Sequence, residues 1–128
     1  SDKKNPVVAV LGSAFKGGTD DCRESPALQI IEIMLAHDVT IRLYDPEAMP
    51  NTKAILGDTV IYCNSAYEAI GGADILAVLT DWAEFKELDL ERIKMLLTRP
   101  QIADYRNTFD CQKAKELGFE IKSLGRRL

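Results

Sequence analysis

Four short stretches of the chain collect the residue types that bind anions or move protons: Gly12 to Glu24, Asp45-Pro46, Thr80-Asp81-Trp82 and Asp104-Tyr105-Arg106-Asn107. The first is the richest. Gly12-Ser13-Ala14-Phe15-Lys16-Gly17-Gly18-Thr19 has the glycine spacing of a P-loop, but Gly18 stands where the phosphate-binding lysine belongs. It also lacks the tight G-x-G-x-x-G turn of a dinucleotide fingerprint. What remains is a long loop with cations at Lys16 and Arg23, closed by a helix start near Pro26 whose positive end favours anions. Two cations and a helix N-terminus can hold a diphosphate. Spacing alone leaves Lys16 equally readable as a solvated lysine, and it favours pairing Arg23 with Asp20, Asp21 or Glu24.

Arg106 brings a guanidinium suited to bidentate contact with a phosphate or carboxylate, and equally able to pair with a nearby loop acid. Thr80-Asp81-Trp82 offers a hydroxyl and a stacking ring, although Trp82 and Phe85, three apart on a helical turn, more often mean a core anchor. Asp45 follows Tyr44 where a dinucleotide-binding sheet keeps a ribose-binding acid, and Asp-Pro is also an ordinary turn. The single His37 sits near a helix end and reads as structural. Cys22, Cys63 and Cys111 are odd in number and scattered, without a base nearby in sequence. That usage suits free thiols in a reducing cytoplasm better than a disulfide framework, a metal knuckle or a nucleophile. With one histidine and no paired cysteines, a zinc site has almost no candidate ligands.

These stretches can cooperate only if the fold brings them together, and the hydrophobic pattern predicts that it does. Val7 to Leu11 is a continuous apolar, β-branched run ended by Gly12, the signature of a strand buried on both faces. Ser25-Pro26 reads as an N-cap and first helical position, opening a helix that runs to about His37, where Asp38 breaks it. Val39 to Tyr44 is a second strand, Ala48 to Leu56 a short helix, and Val60 to Tyr62 a third strand. A helix capped by Ser65 closes at Gly71-Gly72, and Ala73 to Leu79 is the fourth strand. Leu88 to Leu97 has helical spacing, Pro100 to Ala103 enters a fifth strand, and Cys111 to Leu117 forms a helix ended by Gly118. Phe119 to Ile121 is the last strand. Alternation at this interval predicts a Rossmann-like three-layer α/β domain: a mainly parallel sheet of about five or six strands, with helices on both faces. In such sheets ligands bind outside the carboxyl ends of the strands, and each of the four stretches directly follows a strand.

Bulk properties narrow the partners. The 128 residues suit one domain, and 46% hydrophobic with 28% charged residues is the profile of an ordinary globular protein. A net charge of −4 offers no basic excess, which argues against nucleic acid. The longest mainly apolar stretch, Ala27 to Ala36, is too short to cross a bilayer, so no membrane partner is expected. Residues 1–5 read as a polar tail and 6–128 as the domain, with no secretory segment at the start and a cytoplasmic location expected.

At the four loops the sequence resembles a known family. Gly12-Ser13-Ala14-Phe15-Lys16, then Thr19-Asp20-Asp21-Cys22-Arg23-Glu24-Ser25-Pro26, looks like the G-L-x-F-K…T-D-D-x-R-E-x-P signature of the C-terminal domain of UDP-glucose/GDP-mannose dehydrogenases. Tyr44-Asp45-Pro46, Gly72-Ala73-Asp74, Thr80-Asp81-Trp82-Ala83-Glu84-Phe85 and Ser123-Leu124-Gly125-Arg126 match further positions in order. The resemblance implies the nucleotide-sugar-binding half of an enzyme that oxidises a sugar C6 hydroxyl to a carboxylate, using NAD and a cysteine thiohemiacetal. It implies that Phe15, Lys16 and Arg106 face the nucleotide sugar and that Arg23 reaches the NAD diphosphate, against the local pairing favoured by spacing. UDP is preferred over GDP on family grounds, with UDP-glucose the leading substrate and a homodimer expected of the full-length enzyme. No catalytic residue is expected in this chain: its three cysteines do not match the nucleophile, and NAD is bound mainly by domains outside it. Two positions depart from the pattern. Tyr105 stands where the family usually has a glycine before the arginine, and Ser13 replaces an aliphatic residue. The alternative from another class is a free-standing flavodoxin-like or receiver-type signalling module, suggested by Asp20, Asp21 and Thr80.

Overall fold

The computed structural model describes residues 5–14, 18–19, 21 and 25–123. Six strands, β1 (Val7–Leu11), β2 (Thr40–Tyr44), β3 (Ile61–Tyr62), β4 (Ile75–Val78), β5 (Gln101–Asp104) and β6 (Glu120–Ser123), form one sheet in the order β3-β2-β1-β4-β5-β6. Every ladder is parallel. The chain enters the sheet at its centre, winds out through β2 and β3, then returns to β4 and winds out the other way. This is the doubly wound order, and its switch point lies between β1 and β4. The Rossmann-like α/β expectation holds. A receiver or flavodoxin-like sheet runs 2-1-3-4-5, so the signalling alternative has the wrong topology.

The helices are α1 (Pro26–Ala36), α2 (Met49–Leu56), α3 (Ala66–Ile70), α4 (Ala83–Lys86), α5 (Leu90–Leu96) and α6 (Cys111–Glu116). Their ends follow from local chemistry. The Ser25 hydroxyl accepts from the Ala27 amide at the head of α1, and Asp38 takes φ +64° just beyond its end, a conformation that cannot continue a helix. The helix expected from Leu88 to Leu97 begins later, at Leu90, because the Asp89 carboxylate accepts from the Glu91 amide at 3.0 Å and caps a fresh start. A separate short α4 precedes it and buries Phe85 completely.

Alternation along the strands divides the core in two. Ala9, Leu11, Leu76 and Val78 pack with Ile70 of α3, Phe85 of α4 and Ile93 of α5. Val8, Val10, Leu43 and Ala77 pack on the other face with Leu28 and Ile31 of α1 and Leu56 of α2. Central strands are thus buried on both sides, which is why β1 reads as an uninterrupted apolar run. At the β5–β6 end the second face opens: Gln101 and Ala103 are half-buried, and Glu120 and Lys122 are exposed. Cover on both faces holds only for the centre of the sheet. Asp74, one of the family-like positions, lies at the amino edge, where its carboxylate accepts from the Val7 amide at 2.8 Å and the Thr98 hydroxyl at 2.6 Å. Its role there is to tie strand ends, away from the ligand edge.

Candidate functional site

The loops following β1, β2, β4 and β5 meet at the carboxyl edge of the sheet. Gly12, at φ +101°, lets the chain leave β1 so close to β4 that a Cβ would sit 2.3 Å from Cβ of Thr80. Only glycine meets both demands. The buried Thr80 hydroxyl donates to the Ala14 carbonyl at 3.0 Å, and the Ser25 hydroxyl donates to the same oxygen at 3.3 Å. The two ends of the loop that leaves β1 and enters α1 are therefore tied to each other and to β4.

Asp45, fully buried at the end of β2, organises this meeting point. Its Oδ2 accepts from the amides of Ser13 (2.9 Å) and Ala14 (3.1 Å) and from the indole Nε1 of Trp82 (3.0 Å). Its Oδ1 accepts from the amides of Glu47 (2.9 Å) and Ala48 (2.7 Å). Five donors stabilise the buried charge and occupy the roughly four lone-pair sites of a carboxylate. The ribose-binding reading of Asp45 therefore fails, because no acceptor capacity is left.

Ser13 is buried as well, its hydroxyl 2.6 Å from that of Thr52 on α2. Thr52 donates its proton to the Ala48 carbonyl at 2.8 Å, so Ser13 must donate to Thr52. A serine at a usually aliphatic position is thus matched by a threonine across the loop. Trp82, half-buried, packs on the core as an anchor and lends its N–H to Asp45. Beside it the Tyr44 hydroxyl donates to Glu84 at 3.0 Å, and the Tyr44 ring meets Phe85 edge-on at 6.3 Å. Burial, followed by the hydrogen bond to the Glu84 carboxylate, pushes the Tyr44 phenol up to about 12.

Asp104, also fully buried, does for the β5 loop what Asp45 does for the β1 loop. It accepts from the amides of Arg106 (3.2 Å), Thr108 (3.0 Å) and Phe109 (2.9 Å). These bonds wrap the chain around the carboxylate and hold Asn107 at φ +55°. Arg106 projects from this fixed loop with its side chain 35% exposed, and its Nη2 lies 3.5 Å from a carboxylate oxygen of Asp81. The tyrosine before it is anchored by its amide to the Val78 carbonyl at 3.0 Å, and its ring packs on the α1-side cluster.

Of the residues singled out in the sequence, Arg106 and Asp81 are brought together, along with Asp45 and Trp82. Phe15, Lys16, Asp20 and Arg23 lie outside the described residues. Cys63 is buried and Cys111 half-buried. His37 forms the exposed end of α1. Sequence reasoning missed the loop-organising roles of Asp45 and Asp104 and the Ser13–Thr52 pair. The only clue available was an acid placed directly at the end of each strand.

The model of the UDP-glucose/GDP-mannose dehydrogenase family, UDP binding domain, matches residues 9–111. The UDP-glucose 6-dehydrogenase of Rickettsia conorii is 38% identical over 128 residues, covering 99% of this chain and 30% of that protein. UDP-glucose 6-dehydrogenase TuaD of Bacillus subtilis is 41% identical over 123 residues, covering 96% of this chain and 27% of its own length. Among solved structures, a UDP-D-ManNAc dehydrogenase from Pyrococcus horikoshii superposes with a TM-score of 0.77 at 34% identity, covering 96% of this chain and 26% of that one. The chain spans less than a third of the length of these relatives. It belongs to the UDP-glucose/GDP-mannose dehydrogenase family and corresponds to that family's UDP binding domain.

Proposed function

We propose that this chain supplies the UDP-sugar-binding half of an NAD-dependent nucleotide-sugar 6-dehydrogenase, with UDP-glucose as substrate. The observation that carries the reading is Arg106. It stands at the carboxyl edge of a doubly wound sheet, on a loop whose backbone is spent on a buried aspartate, with its guanidinium part-exposed. Its pairing with Asp81 does not oppose this role. Both side chains are well exposed, at 35% and 42%, so the pair is weak and a diphosphate can displace the carboxylate at little cost.

In this reading Arg106 and Lys16 neutralise the diphosphate, Phe15 packs against the nucleotide sugar, and Arg23 extends toward the diphosphate of NAD held by another domain. The chain binds and orients; the C6 chemistry and its cysteine belong to the rest of a longer, homodimeric, cytoplasmic enzyme. Titration calorimetry on the 128-residue chain tests the binding role. UDP is expected to bind and uridine to bind at least about tenfold more weakly, because the phosphates carry the charge-assisted contacts. Lys16→Ala and Arg106→Ala are each expected to weaken UDP by about tenfold or more and leave uridine unchanged. Equal affinity for UDP and uridine would overturn the phosphate roles.

A further inference from the structure

One buried carboxylate touches three of the four loops at the ligand edge. Asp45 belongs to the loop after β2, holds the Ser13 and Ala14 amides of the loop after β1, and holds the Trp82 indole of the loop after β4. We propose that Asp45 is a positioning residue of the nucleotide-sugar site, which sets the loop leaving β1 against Trp82, so that the Trp82 indole reports ligand binding there. The proposal rests on the functional reading above and adds to it the group that aims the binding loop.

The geometry makes the positioning two-sided. Asp45 fixes the Ser13-Ala14 peptide by its N–H groups, while Thr80 and Ser25 fix it by the Ala14 carbonyl. The Ser13 hydroxyl adds a third tether to Thr52. Ser13 and Ala14 are therefore held from both sides, and the carboxylate is the hub. An amide cannot replace it. Asparagine has one acceptor oxygen and one NH2 group, so in either orientation at least two of the five N–H donors face another donor. Trp82 is the only tryptophan of the chain, so its emission is the chain's tryptophan emission, and its N–H shares Oδ2 with the loop amides. A shift of Ser13-Ala14 on ligand binding changes the environment of the indole through that shared oxygen.

The test uses Asp45→Asn and Trp82→Phe in the 128-residue chain; the phenylalanine keeps an aromatic ring, smaller than the indole, and removes the N–H donor. Wild type, titrated with UDP, is expected to change its tryptophan emission with the same Kd as in calorimetry. In Asp45→Asn the Ser13 and Ala14 amides should exchange about a hundredfold faster, while the Val10 and Leu43 amides stay within about threefold of wild type. Its UDP Kd should rise about tenfold and its emission response should shrink. Trp82→Phe should raise the Kd about threefold, and it decides by the same criterion if Asp45→Asn does not fold. A merely structural aspartate predicts something else: sheet and loop amides accelerating together, a lower melting temperature, and an unchanged Kd for the folded fraction. That result would overturn the proposal, as would a Trp82→Phe variant that binds UDP like wild type. If wild type itself gives neither heat nor emission change with UDP, the functional reading falls and the proposal falls with it. If wild type binds UDP and both variants bind equally well, the proposal alone falls.

Discussion

At the residue scale, the carboxyl edge depends on acids whose charges are spent inward. Asp45 and Asp104 each end a strand and turn a carboxylate into the loop that follows, and neither role could be read from the sequence. An Asp-Pro pair announces a turn, but its partners Ser13 and Trp82 are 32 and 37 residues away, beyond any local periodicity. Arg106 announced a guanidinium able to meet a phosphate or pair with a loop acid, and the structure sets it 3.5 Å from Asp81. Tyr44 was legible only as the end of a strand, yet it gives this edge a pH signature. Its phenol, raised to about 12 by burial and by Glu84, keeps in the folded chain a proton that the unfolded chain releases near 10.0. A folded-state pKa above the unfolded value means that this contribution is complete below pH 10.0 and is lost as the pH rises through about 12. Tyr62 is raised too, by burial and then Asp58. We expect the urea midpoint of wild type to fall more steeply between pH 10 and 12 than that of Tyr44→Phe. The phenol absorbance titration of Tyr44→Phe should lack the component that wild type titrates at about 12. Identical slopes in the two chains would show that burial and Glu84 leave Tyr44 unperturbed.

At the scale of elements, most of the sheet was written in short-range pattern. The β1 run matched its strand residue for residue, and the later strands were displaced by one or two positions at their ends. Strand ends depend on where the neighbouring strand stops offering partners, which no local window contains. The α4–α5 break was missed because Leu90, Ile93 and Leu96 keep their helical spacing whether or not the helix extends back to Leu88. The contact between α2 and the β1 loop was invisible for another reason: Ser13 and Thr52 are polar residues at fully buried positions, acceptable only as a pair. That pairing has a direction, and the direction can be tested. Removing Ser13 by Ser13→Ala leaves Thr52 donating to the Ala48 carbonyl and should cost about 1 kcal/mol. Removing Thr52 by Thr52→Val strands a buried serine proton and should cost more, about 2–3 kcal/mol. The double variant should be no worse than Thr52→Val alone, since no orphan remains, giving a coupling of about 1 kcal/mol in denaturant unfolding. Additive losses would mean that the two hydroxyls do not depend on each other.

At the scale of the molecule, the sequence predicted the class of sheet but not its strand order, and the order is what assembles the site. Because β1 and β4 are central neighbours, their loops touch at Gly12 and Thr80, and the loops of β2 and β5 flank them on either side. Those loops share one edge of the sheet. An edge of this kind can bind a ligand without performing the chemistry, and binding registers in stability whatever the turnover. A ligand taken only by the folded chain stabilises it by about 2.7 kcal/mol at a hundredfold excess over its Kd. For a domain of this size that is on the order of 10 °C in Tm. UDP is therefore expected to raise the melting temperature of the 128-residue chain in proportion to the logarithm of its concentration, with uridine at equal concentration giving little. Added salt should erode the UDP shift, because Arg106, proposed to contact the phosphates, is exposed enough for the contact to be screened. Arg106→Ala should remove most of the shift and leave the unliganded Tm within about 2 °C, since a surface pair of this exposure contributes little to folding. A UDP shift that survives high salt and the loss of Arg106 would place the phosphates elsewhere on the molecule.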